Sequence, residues 1–237
     1  MRSCLNIVAR YNENLDWLKD IKGDILIYNK GDEIDCPYRI HKADNYGRES
    51  ETYVRAIIEY YDQLHNFDYI VFLQGNPFDH TKNLFQKLEE PMENNYLSLG
   101  DFYSAHQLPE QNYIFKNHIS VINMIFKELK NVNNFPKSPK LSCEVLHEDG
   151  RKYERVNEIY EIMGLCALIG LEYKHSILYW SCGAQYKVRK EMILSKSLDW
   201  WKELHSLIIY CEKILDYNLA YILERIWALI WEHSDKN

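Results

Sequence analysis

Short apolar runs alternate with polar breaks along the first third of this chain, and each run ends on residues able to bind something. Leu5 to Ala9 is an opening strand that stops at Arg10-Tyr11-Asn12-Glu13-Asn14, after which Leu15, Trp17 and Leu18 predict a short helix. Asp24 to Tyr28 is a second buried strand closed by Asn29-Lys30-Gly31, and a third extended piece is expected near Tyr38 to His41. Asn45 to Thr52 reads as a loop and helix start, followed by Tyr53, Ile57, Ile58, Tyr61 and Leu64 at helical spacing. Ile70 to Leu73 then has the length and composition of a strand covered on both faces, and it breaks off into the polar segment Gln74 to His80.

Further on, Thr81 to Leu88 is expected to be helical, Tyr96 to Leu99 extended, and Asn131 to Arg151, rich in Pro, Asn, Ser and Lys, a long loop or flexible flap. Val156 to Gly170 predicts a helix and Ser176 to Ser181 a late strand. Lys187 to His233 reads as nearly all helix, with amphipathic segments at Ser197 to Lys213 and Tyr217 to Glu232. Strands alternating with helices imply an α/β fold: a single doubly wound, mainly parallel sheet flanked by helices, with a helical C-terminal segment. The expectation is one domain over residues 1–237. Ligands in such sheets settle beyond the carboxyl ends of the strands, which directs attention to Arg10, Asn12, Lys30 and the segment from Gln74 to His80.

Composition narrows the function classes. The net charge of −7 argues against a nucleic-acid backbone as partner. The six cysteines are scattered without a C-x-x-C pair, so neither a zinc knuckle nor a disulfide framework is signalled, and free thiols in a reducing cytosol are the expectation. Arg10 and Asn12 interrupt any signal-peptide core, and no apolar run reaches the length of a membrane span, which predicts a soluble cytoplasmic protein. Nineteen Tyr and six Trp suit a carbohydrate or nucleobase site, although most such rings serve the core. The Trp- and Leu-rich C-terminal helices allow peripheral membrane contact, with core packing the commoner use of such faces.

The polar strand ends share one rim in a parallel sheet. Arg10, Lys30 and Arg48, with the donors of Asn12, Asn45 and Gln74, suit a phosphorylated, hydroxyl-rich ligand, and Gln74, Gly75, Asn76, Asp79 and His80 occupy the crevice beyond the central strand. Each residue taken singly also reads as a loop cap or turn former. Neither a dinucleotide fingerprint nor a P-loop occurs. Asp79 and His80, with His106, offer an oxygen/nitrogen set for Mg2+ or Mn2+, against a capping role. Cys182 reads either as a nucleophile or as a small buried residue, and Glu224 with Arg225 either as a surface pair or with Glu224 facing inward.

VARYNENLDWL (8–18), IYNKG (27–31), NYGRESETYVRAIIEYYDQL (45–64), VFLQGNPFDH (71–80), SCGAQYKVRKEMI (181–193) and ERIWALIW (224–231) together resemble a family catalogued as a domain of unknown function, number 3431. That family is similar to divergent glycosyltransferases of the GT-A type. Their single α/β domain starts with a strand ending in a nucleotide-contacting loop and carries an acidic metal motif after a central strand. QGNPFDH holds that position here without an Asp-x-Asp, which leaves dependence on Mn2+ or Mg2+ open. The resemblance implies a nucleotide-binding half over 1–130, a flap over 131–151 and an acceptor-side half over 152–237. It places Arg10, Asn12 and Asn45 near the nucleotide, and Gln74 to His80 near the diphosphate and donor sugar. Arg48, or Lys187, Arg189 or Lys190 after Cys182-Gly183-Ala184-Gln185, becomes the counterion of the leaving diphosphate. Asp79, Glu49 and Glu224 are the candidate bases for deprotonating a glycan hydroxyl. The rival expectations are a non-catalytic carbohydrate-binding or assembly module on the same fold, and a hydrolase using Cys182 or an Asp79/His80 pair.

Overall fold

The computed structural model describes residues 3–107, 144–146, 152–154, 162, 165–166, 168–171, 177–214 and 219–232. The chain divides into two compact units, residues 1–104 with 179–237, and residues 105–178. The first unit opens with strands β1 (Cys4–Arg10), β2 (Asp24–Asn29) and β3 (Arg39–Lys42), then helix α1 (Arg48–Tyr60) and strand β4 (Tyr69–Gln74). Helix α2 (Leu84–Glu89) and strand β5 (Tyr96–Ser98) follow. Strands β6 (Tyr103–Gln107) and β9 (Ile177–Ser181) pair with each other, as do β7 (Glu144–Leu146) and β8 (Lys152–Glu154). The chain then runs through β10 (Tyr186–Arg189), α3 (Lys190–Leu194), α4 (Leu198–Ile214) and α5 (Ala220–Glu232).

Six strands form the main sheet in the order β3-β2-β1-β4-β10-β5. The β3–β2, β2–β1 and β1–β4 pairs are parallel, whereas β10 runs antiparallel to both β4 and β5. The sheet is therefore mainly parallel and flanked by helices. The expectation of helix from Lys187 fails at its first turn: Tyr186 and Val188 alternate with Lys187 and Arg189, a period-two pattern that pairing with both neighbours turns into a strand. Within the expected 131–151 flap, Glu144–Leu146 is a strand, and in the expected 156–170 helix Ile162, Leu165, Cys166 and Leu168 are helical while Ile169 and Gly170 form a turn. The rest of both segments lies outside the described residues.

Alternation along β4 sorts its side chains between two cores. Val71 and Leu73 join Val8, Ile27, Leu18, Leu84 and Leu99 on one face. On the other face Phe72 stacks on Trp231 (5.4 Å) and lies 5.0 Å from Tyr53, while Trp231 stacks on Trp227 at 5.0 Å. Such aromatic pairs contribute about 0.5–1.5 kcal/mol each beyond their burial. Helix α5 is buried at ten of its thirteen positions, so its apolar surface is spent on this core. Among the described residues no helix is long and apolar enough to cross a membrane.

Candidate functional site at the carboxyl edge of the sheet

Parallel pairing brings the ends of β1, β2 and β4 to one edge: Arg10 is level with Asn29, and Ala9 with Gln74. Because β10 is antiparallel to β4, the turn that precedes it, residues 182–185, reaches the same edge. Gln185 locks it there, donating from Nε2 to the Pro77 carbonyl and the Thr81 hydroxyl, both at 3.1 Å. The Asp101 amide ties the edge of β5 in by donating to the His80 carbonyl at 2.7 Å.

Two of the rim cations are committed to the protein itself. The Arg10 guanidinium donates to the carbonyls of Tyr11, Glu13 and Asp32 and to Asn29 Oδ1, so it staples the β1 and β2 loops together. Asn12 Oδ1 accepts from the Asp32 amide in the same loop pair. Lys30 is buried and pairs with Glu51 at 2.7 Å. Glu51, fully buried, also receives Arg55 Nε at 2.6 Å and His205 Nε2 at 2.9 Å. Burial pushes its carboxyl up, but the His205 hydrogen bond and the two cations outweigh it and hold the pKa at about 2. At Lys30 burial wins over the help from Glu51 and lowers the ammonium, so the carboxylate anchors the ionisation of the pair. Sequence reading passed over Glu51 and His205 as members of one cluster. The signal for His205 is its place four residues after buried Trp201 on α4.

Lys187 and Arg189 lie elsewhere. Along β10 they face Val71 and Tyr69, toward the start of β4, and they donate to the carbonyls of Leu88 and Glu90 and of Met92 and Asn94. Lys190 likewise donates to the His65 carbonyl. These three cations serve the opposite edge of the sheet, away from Gln74.

What the edge does assemble is a pair of glutamates. Glu224, on α5, faces inward and accepts from the Gly183 amide at 2.8 Å and from Arg225 Nη1 at 2.6 Å, while Arg225 stacks on Trp180 at 4.1 Å. Glu49, in the first turn of α1, is half-buried, its side chain 11% exposed. Desolvation raises its carboxyl, opposed by its own backbone amide and by Arg48, and the nearby Glu224 charge raises it again. Arg48 lies over the Tyr221 ring at 4.8 Å with its side chain 49% exposed, and Tyr221 is on the same helix as Glu224.

Backbone strain marks the same spot. Among the described residues Arg48 (φ 50°) and Ala184 (φ 49°) are the non-glycine residues with positive φ. Each follows a left-handed glycine, Gly47 or Gly183; Arg48 directly precedes Glu49, and the Gly183 amide is the one that binds Glu224. Strain of this kind costs on the order of 1–3 kcal/mol per residue and clusters at functional sites. Gly183 has a second constraint, since a Cβ there would lie 2.7 Å from the His80 side chain.

The other candidates line the edge without converging. Gln74 is half-buried, and its side-chain amide has no partner among the described residues; Asn45, Asn76 and Asp79 are exposed and likewise unpartnered. Gly75 accepts from Trp17 Nε1 through its carbonyl. Cys182 is half-buried, its amide donating to the Phe102 carbonyl. Among the described residues no three His, Cys, Asp or Glu are grouped to hold a metal ion. Asp79 points to solvent exposure while the His80 ring is packed on Gly183, and the His106 side chain lies outside the described residues.

No curated protein matches the chain. Residues 6–237 do match a family model described as "Protein of unknown function (DUF3431)", so that all the edge residues described above fall within it, and the chain belongs to that family.

Proposed function

We propose that this edge binds a sugar nucleotide and transfers its sugar to a glycan hydroxyl. The observation that carries the reading is the carboxyl pair Glu49/Glu224, set between two strained turns at the end of a mainly parallel sheet. A carboxyl raised by desolvation is a better base than a solvated one, and a second, clamped carboxylate beside it divides the roles. In a direct displacement Glu49 takes the proton of the acceptor hydroxyl, whose oxygen bonds to the anomeric carbon. The bond from that carbon to the diphosphate oxygen breaks, and the diphosphate leaves with the electron pair. Arg48, half-exposed beside Glu49, balances the charge that develops on it. Gln74, Asn76 and Asn45 supply amides for sugar and ribose hydroxyls. A GT-A-type arrangement is supported by a first strand ending in a polar loop and a central strand followed by Gln74 to His80. A cytoplasmic setting is supported by the free thiols of Cys4, Cys36, Cys166, Cys182 and Cys211.

One observation favours the second reading, a non-catalytic carbohydrate-binding module: Arg10 and Lys30 spend their donors on the protein. A thermal-shift screen against nucleoside diphosphates and sugar nucleotides separates the two. A ligand that binds only the folded state at a hundredfold excess over its Kd stabilises by about 2.7 kcal/mol. The expected result is a selective shift with one sugar nucleotide that Arg48→Ala weakens at least tenfold. No shift with any nucleotide, alongside binding to free oligosaccharides, would establish the module instead.

A further inference from the structure

Tyr53 is the buried group that the chemistry above leaves unused. It lies one helical turn after Glu49, on the same face of α1, with its ring fixed against Phe72 at 5.0 Å and Trp227 at 6.2 Å. Trp227 in turn stands three residues after Glu224 on α5, so the phenol sits where the two glutamate-bearing helix faces meet. The side chain is fully buried, and its hydroxyl has no hydrogen-bond partner among the described residues. Burial, followed by the charges of Glu49 and Glu224 with the Tyr186 phenol between them in weight, pushes its own ionisation far up, so the group stays a donor at any working pH. A phenol donor this deep is ordinarily satisfied, and an ordered water is the usual partner of a buried hydroxyl that no protein group reaches.

We propose that Tyr53 is a positioning residue of the edge carboxyl pair, its hydroxyl joined to Glu49 and Glu224 through an ordered water. The phenol donates to the water, and the water donates to the carboxylates. The bridge favours the ionised form of Glu49. The role rests on the transferase reading only for its use. The bridge itself is a property of the unliganded protein.

The test is Tyr53→Phe, followed by titration of the glutamate carboxyls by carbon-13 NMR, with Glu49→Gln and Glu224→Gln fixing the assignments. Losing the bridge should raise the Glu49 midpoint by about one pH unit, a tenfold change in its ionisation equilibrium. An unmoved midpoint would overturn the proposal, because an orphan hydroxyl can be removed at little cost and without consequence for its neighbours. If Tyr53→Phe does not fold, a high-resolution crystal structure of the wild type decides: a water within hydrogen-bond reach of Tyr53 Oη and one carboxylate supports the bridge, and apolar atoms filling that gap exclude it. Neither readout requires a nucleotide, so failure of the transferase reading in the thermal screen is a separate outcome.

Discussion

Replacing Glu51 with Gln should uncouple the α1 end of the rim from the rest of the fold. The side chain is fully buried among Lys30, Arg55 and His205, and its pKa lies at about 2 against the usual 4.5. At 1.36 kcal/mol per pH unit this difference corresponds to about 3 kcal/mol of stability at neutral pH, in line with the 3–5 kcal/mol typical of removing one partner from a buried charge set. The sign follows from the folded-state pKa being depressed. The contribution is fully present above 4.5 and is lost as pH falls from there toward about 2. Urea unfolding followed by tryptophan fluorescence at pH 7, 5, 4 and 3 reads both effects. The wild type should lose about 2 kcal/mol more than Glu51→Gln between pH 7 and pH 3, and the variant should start about 3 kcal/mol lower at pH 7. A variant within 1 kcal/mol of the wild type at pH 7, with the same acid slope, would refute the view that these charges are a single stabilising unit.

Gly183→Ala places a Cβ 2.7 Å from His80 at a φ of 91°, and should cost about 1–3 kcal/mol in a urea melt. Gly170→Ala, also at positive φ (68°) but with nothing within 4 Å, is the control and should cost less; equal losses would show that the His80 contact is irrelevant. Burial pushes the thiols of Cys4 and Cys211 up to about 11 and that of Cys166 to about 12. Iodoacetamide at pH 8 should therefore modify the half-buried Cys36 and Cys182 well before these three, as read by peptide mass spectrometry, and early labelling of Cys211 would contradict its burial.

The parallel half of the sheet was legible because its strands are short apolar runs closed by turn formers. β1, β2 and β4 fall within a residue of the expected bounds, and α1 begins inside the expected loop-to-helix region. β10 was not legible: Tyr-Lys-Val-Arg is short, two of its four residues are charged, and it leads directly into Lys190–Leu194, so local pattern favours helix while pairing with β4 and β5 decides for strand. A strand's direction also determines which edge of the sheet Lys187 and Arg189 serve, and local sequence does not show that direction. Glu49 and Glu224 were recognisable as carboxylates near polar turns, but their meeting, 175 positions apart, depends on how α1 and α5 pack on one sheet face. Glu51 and His205 were hidden for the same reason, because a buried charge in a helix looks like a surface charge until its partners are known.

The insertion of β10 between β4 and β5 has a consequence for biosynthesis. Tyr69–Gln74 is an apolar strand with one edge left open until Tyr186–Arg189 emerges roughly 110 residues later. At the usual 5–20 residues per second of elongation, the nascent chain carries that open edge for about 6 to 22 seconds. An unpaired edge of this composition is a template for pairing with other chains. The sheet of this protein is thus completed only once residues 186–189 have emerged, and a ribosome that stalls before residue 186 leaves a half-sheet exposed to aggregation and to chaperone capture.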